Sequence, residues 1–151
     1  MFQFSATVRS LDLQTLSDRA EIEDVLVRYT RAIDSGDWDR LDTVFTPDAR
    51  IDYTESGGIK DGYPVVKPWL AEVLPAFFPQ RMHTLGQLDI ALDGDTATVA
   101  AYFHNPMPMA DGQGGQKLVQ FGGVYHHTMV RTADGWRSRS LHEEVVWKDG
   151  A

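Results

Sequence analysis

Asp34, His83, Tyr29, Asn105 and His127 are the side chains whose types and spacing can do chemistry in this chain, and the chemistry is proton transfer. A carboxylate that accepts a hydrogen bond from one imidazole nitrogen fixes the tautomer and stabilises the imidazolium, which leaves the other nitrogen as a base. Asp34 closes a helical pattern, five residues after Tyr29 on its buried face. A carboxylate at a helix C-terminus opposes the dipole, so its placement calls for a reason. Either it caps the turn Asp34-Ser35-Gly36, or it reaches across to a histidine. His83 is the natural partner, because it starts a strand pattern and shares a face with Leu85. A strand histidine is equally able to be a satisfied core residue.

The other candidates come from strand alternation. Ala97, Val99, Ala101 and Phe103 make an inner face that continues to Asn105 and Met107, whereas His104 falls in phase with Thr96 and Thr98 and points outward. His127 shares a face with Phe121, Tyr125 and Met129 and looks inward. His142 has no clear phase, since Leu141, Val145 and Trp147 compete with it for the core.

Several other chemistries are disfavoured. The chain has no cysteine, which removes disulfides, thiol nucleophiles and zinc–thiolate sites. The adjacent His126 and His127 face opposite ways on a strand, and neither His-x-His nor H-E-x-x-H occurs, so no metal site is expected. Asp93-Gly94-Asp95 lacks the closing Glu of a calcium loop, and the glycines at 112, 114 and 115 sit between strands rather than ahead of a helix. No G-x-S-x-G elbow is present. With 14 Lys+Arg against 22 Asp+Glu, the net charge of −8 speaks against nucleic acid and anionic membrane surfaces as partners. Residues 1–14 lack the basic and apolar regions of a signal peptide, and no apolar run is long enough to span a bilayer. The expectation is a cytoplasmic protein.

The elements that must position these groups follow from periodicity. The 151 residues suit one domain: a lead-in arm at 1–14, in which Phe2 and Phe4 alternate as in a strand, and a body at 15–151. Ile22, Val25, Leu26, Tyr29 and Ile33 share one helical face, with Ser17 as expected N-cap and Gly36 as stop. Asp37 opens a second short helix carrying Trp38, Leu41 and Phe45, which Pro47 closes. A short strand at 49–53 and a glycine loop precede a third helix with Trp69, Leu70, Val73 and Leu74, which Pro75 should end or kink. Four strand patterns follow, at about 81–92, 96–108, 116–132 and 135–148, the first pair meeting at Asp93-Gly94 and the last near Asp134-Gly135. Across Gly86 the apolar phase flips from Leu85 to Leu88, Ile90 and Leu92, as a bulge that bends the strand requires. The order is α+β: three N-terminal helices wrapped by a bent antiparallel β-sheet, a cone with an interior pocket. Trp38, Leu74, Phe78, Phe121 and Met129 are expected to form its apolar wall.

The run Tyr29-Thr-Arg-Ala-Ile-Asp34-Ser-Gly-Asp-Trp38-Asp-Arg-Leu41, continuing from Phe45 to Tyr53, resembles the opening of SnoaL-like proteins. Within these it is most similar to scytalone dehydratase and the bile acid 7α-dehydratases, on the nuclear-transport-factor-like cone. The resemblance continues through Gln80-Arg-Met-His83, the Asp93-Gly94 hairpin and Asp134-Gly135-Trp136. It implies that Asp34 and His83 form the dehydratases' Asp–His pair, and that Tyr29 and Tyr53 match their active-site tyrosines. His127 falls near a pocket asparagine of scytalone dehydratase. That enzyme's second histidine is Met107 here, its tyrosine before the Asp is Ile33, and Leu141 stands near the final-strand arginine of other relatives. These departures argue against scytalone itself as substrate.

The expected function is that of a cofactor-independent dehydratase acting on a hydrophobic cyclic or polyketide-like β-hydroxy-carbonyl compound. Asp34 and His83 would be its acid/base dyad, with Tyr29, Tyr53, Asn105 and His127 on the substrate. A non-catalytic binding or assembly module, or an isomerase or cyclase sharing the proton-abstraction step, are the other readings. Apolar area on the outer face of a bent sheet points to a homodimer.

Overall fold

The computed structural model describes residues 11–151. Helix α1 runs Leu13–Ser35, earlier than expected: Asp12, not Ser17, is the N-cap, and its side chain accepts from the Thr15 N–H at 2.7 Å. The last two residues of the anticipated 1–14 arm are therefore helical, while Phe2 and Phe4 lie outside the described residues. Ile22, Val25, Leu26, Tyr29 and Ile33 are each no more than 1% exposed, so the periodic face is the buried one. Gly36 closes the helix in the left-handed region, φ 71°, where its N–H reaches the carbonyl of Ile33.

A 3-10 helix at Trp38–Thr43 leads directly into strand β1, Phe45–Asp52. Pro47 does not end a helix; it lies in β1, where the register of the strand breaks between Phe45 and Arg50. Proline has no N–H for the ladder, and such a break is where a strand tolerates it. After a 3-10 turn at Thr54–Ser56 come β2, Lys60–Gly62, and helix α2, Tyr63–Phe77. The stop expected at Pro75 falls two residues later. The ring removes a single bond near the helix end, and the Phe78 N–H still closes the last turn on the Leu74 carbonyl at 2.7 Å.

Strands β3 (Thr84–Asp93), β4 (Thr96–Ala110), β5 (Gln116–Thr132) and β6 (Gly135–Asp149) form the antiparallel meander. The sheet order is β2-β1-β6-β5-β4-β3, and β1 joins β6 in parallel, so one pair departs from the antiparallel rule. The β3–β4 register shifts between Leu85 and Leu88, placing the bulge at Gly86. Curved by it, the sheet wraps its inner face on α1 and α2, with Ala97, Val99, Ala101, Phe103, Tyr125 and Met129 in the core. No described helix is long and apolar enough to cross a membrane.

One polar clamp ties α1 to the far hairpin. Asp18, 7% exposed, receives both Arg131 guanidinium nitrogens at 2.7 and 2.8 Å and the Trp136 indole N–H at 3.1 Å. The Arg131 hydrogen bonds hold its carboxyl down at about 2, so its stabilising effect is full above the ordinary Asp range and is lost as pH falls from 3.8 towards 2. Asp18→Asn leaves Arg131 half-paired beside a buried amide. Its melting temperature at pH 7 is expected to drop by roughly 5 °C, with the deficit shrinking near pH 2. Calorimetry at both pH values checks this.

Candidate functional site

The open end of the cone holds a cavity of about 260 Å³ between α2, the 53–58 turn, the C-terminal end of α1 and the inner face of the sheet. Asp34 and His83 stand at its edge. Asp34 sits on the last turn of α1, and His83 immediately precedes β3. The chain that joins them is anchored by Arg81, whose Nε donates to the Ile33 carbonyl at 2.7 Å and whose other nitrogen donates to the Phe78 carbonyl at 3.1 Å. A guanidinium on a last-turn carbonyl of α1 also suits the negative end of that helix. It lies 5.4 Å from the Trp38 ring centroid, which is why Trp38 supports the site from outside rather than lining it.

Asp34 grips one residue with both oxygens. Oδ1 lies 2.6 Å from His83 Nδ1, and Oδ2 accepts the His83 backbone N–H at 2.9 Å. Facing a carboxylate, Nδ1 carries the proton and donates, so Nε2 is left as the basic nitrogen. The Asp34 and His83 side chains are 12% and 8% exposed, and of the two it is His83 that lines the cavity.

Tyr29 and Tyr53 share a hydrogen bond of 2.6 Å between their hydroxyls. Burial pushes both phenols well above their ordinary range, so both stay neutral, and the bond they share uses only one of their two O–H groups. Asn105 is 2% exposed and donates through Nδ2 to the Tyr125 hydroxyl at 2.9 Å. All four of Tyr29, Tyr53, His83 and Asn105 line the cavity.

His127 does not. It faces inward as alternation requires, but it pairs with Val99 and Leu141, one step deeper than Tyr125 and Glu143. There the Tyr29 and Tyr125 rings cover it edge-on, with centroids 6.0 and 6.4 Å away. Its Nδ1 lies 2.8 Å from the Ser138 hydroxyl, which itself donates to the Ser140 carbonyl. The imidazole must therefore donate through Nδ1, and Nε2 is left without a partner among the described residues. Burial, with His126 a lesser cause, lowers its pKa to about 3. Met129 is likewise core rather than wall, at 0% exposure.

Leu74, Phe78 and Phe121 line the cavity as expected, joined by Trp69, Leu70, Phe77 and Met107. Tyr53 stacks on Trp69 at 6.2 Å, and Gly58 leaves no room there: a Cβ would sit 2.7 Å from Tyr53 Cβ and 2.8 Å from the Trp69 ring. Glu143 is the residue that sequence reasoning missed. It is 7% exposed, lines the cavity, and its Oε1 has no hydrogen-bond partner among the described residues. Its signal was alternation with Leu141 and Val145, which places it on the inner face, against the habit of reading a glutamate as solvated. A wider groove of about 540 Å³ lies on the outer face of the sheet. It holds His126 and His142, each engaged with a carboxylate at 2.7 Å (Glu144 and Glu55), and neither Asp34 nor His83 lines it.

A carboxylate-held imidazole thus stands at the rim of a mostly apolar cavity, the kind of concave space in which small molecules are bound. The chain belongs to the SnoaL-like family, whose domain model matches residues 14–142, on the nuclear transport factor 2-like fold. An uncharacterised protein of Mycobacterium tuberculosis is 47% identical over 128 residues, 84% of each chain. A protein of Gibberella zeae named as a probable cyclase is 31% identical over 133 residues, covering 80% of this chain and 87% of that one. In fold, a hexachlorocyclohexane dehydrochlorinase of Novosphingobium barchaimii superposes with a TM-score of 0.79 at 18% identity, over 92% of this chain and 93% of that chain.

Proposed function

We propose that the protein is a cofactor-independent lyase of the dehydratase type, acting on a hydrophobic cyclic or polyketide-like β-hydroxy-carbonyl compound. The observation that carries this reading is the Asp34–His83 bond at the edge of the apolar cavity. His83 Nε2 takes the proton from the carbon next to the carbonyl, and the C–H electron pair passes into the enolate. The enolate collapses, the β C–O bond breaks, and the departing hydroxide takes a proton from the imidazolium to leave as water. Asp34 steadies the imidazolium, while the free O–H of the Tyr29–Tyr53 pair donates to the carbonyl oxygen as charge grows there. Trp69, Leu74, Phe78 and Phe121 hold the ring. The reaction named for the dehydrochlorinase is also an elimination, which supports the reading by analogy of fold alone.

The relative named as a cyclase favours a second reading, in which the same enolate closes a ring and no water leaves. Incubation with β-hydroxy ketones in D2O separates the cases by mass spectrometry. Dehydration removes water, cyclisation or isomerisation keeps the mass apart from deuterium gained at the α-carbon, and a purely binding module does neither. Absence of both deuterium uptake and water loss across such ketones would overturn the catalytic reading.

The outer face of the sheet exposes Tyr102, Leu118, Val146 and Trp147. A homodimer that covers them is the expected state, and light scattering at micromolar concentration should return twice the chain mass.

A further inference from the structure

Among the described residues, two side-chain oxygens of the cavity lining lack a hydrogen-bond partner, Glu143 Oε1 and Asn105 Oδ1. Both belong to residues more than nine-tenths buried. An orphaned buried acceptor costs stability, and replacing it with an apolar group of similar shape would relieve that cost. The two flank one group: Asn105 donates to the Tyr125 hydroxyl, and Tyr125 stands opposite Glu143 in the β5–β6 register. The Tyr125 hydroxyl between them has a single hydrogen to give, so at least one of the two acceptors waits for a donor.

We propose that Glu143 and Asn105 are the specificity-determining pair of this cavity, two acceptors that admit a ring bearing hydroxyl hydrogens and reject the same ring without them. The inference rests on the small-molecule reading of the cavity and adds what the ligand must carry. An Asn Oδ1 accepts at any pH. Glu143 is faced by Tyr125 and by Ser56, Glu55 and His83, with Tyr29 and Tyr53 near enough to feel its charge. Burial raises its carboxyl above the ordinary range, against the lesser pull of Ser56, His83 and Tyr125. As acid or as carboxylate it keeps an accepting oxygen, so a ligand O–H is satisfied in either form. Sites built to hydrogen-bond a hydroxyl discriminate strongly, because the ligand lacking it leaves their buried polar groups unpaired.

Calorimetric binding of 6-hydroxy-1-tetralone and of 1-tetralone tests this without turnover. The hydroxylated ring should bind the native protein at least ~10-fold more tightly. In Glu143→Leu and in Asn105→Leu the ratio should shrink, and in the double variant it should approach one. Glu143→Leu should also melt a few degrees higher than the native protein, as removal of an orphaned buried acceptor predicts. Glu143→Gln keeps an acceptor and should retain most of the preference, which guards against a leucine variant that fails to fold. A native ratio near one, or an unchanged ratio in the leucine variants, would overturn the proposal. Deuterium exchange at the α-carbon is measured in parallel. A lost ratio with intact exchange removes this inference alone, and lost exchange with an intact ratio removes the lyase reading alone.

Discussion

Replacing His83 with alanine is expected to slow turnover of a β-hydroxy ketone by ~10²–10⁴-fold, the range for losing a positioned base. Asp34→Ala should cost somewhat less, and the double variant about as much as His83→Ala by itself. Asp34 spends both oxygens on His83, one on the ring and one on the backbone N–H, so with the ring gone it holds only backbone and has no base left to orient. Groups that act as a unit lose activity non-additively. Additive losses in log rate would give Asp34 a separate task, and unchanged turnover in both single variants would remove the dyad from the reaction.

The second large effect concerns acid stability and is carried by His127. Its folded-state pKa of about 3 lies below the ordinary histidine value of 6.5, because burial disfavours the charged ring. Below pH 6.5 the unfolded chain takes up a proton that the folded one refuses. Stability is therefore full above 6.5 and is lost as pH falls towards 3, at up to ~1.4 kcal/mol per pH unit from this residue. His127→Phe removes the titration, and Ser138 keeps its bond to the Ser140 carbonyl. Glu143 works in the opposite sense, since its raised carboxyl destabilises the fold as pH climbs above the ordinary Glu range. The informative quantity is thus the difference between native and variant urea midpoints, which should favour the variant increasingly from pH 6.5 to 4.5. A difference that stays constant over that interval would mean the ring is protonated in the folded protein.

Much of the fold was legible because burial imposes a period. The α1 face, the outward His104, the bulge at Gly86 and the β-hairpin turns all follow from counting apolar positions. The ends of elements were less legible. Asp12 outcompetes Ser17 as the N-cap because Leu13 and Leu16 can sit exposed, at 85% and 47%, on a helix whose packing begins later. The parallel β1–β6 pair has no local signature, since it depends on how α1 returns the chain to the sheet. At the site, alternation assigns a face but not a depth. That is why it could not tell Asn105, in the cavity, from His127, which the Tyr29 ring covers. Glu143 was hidden by its own charge, and only its phase with Leu141 and Val145 told against the usual solvated reading.

Helix α2 contributes Trp69, Leu70, Val73, Leu74 and Phe77 to the cavity and neither member of the Asp34–His83 pair. On the proposed lyase reading, reactivity and fit are therefore inherited through separate stretches of the gene: residues 29–34 and 81–83 hold the groups assigned to proton transfer, and residues 69–78 mould the space above them. A lineage can exchange bulk along α2 and change its preferred ring while the imidazole stays clamped. Duplicated copies would then diverge in substrate before they diverge in reaction. Libraries confined to positions 69, 70, 73, 74 and 77 should accordingly yield altered selectivity at little cost to the chemical step.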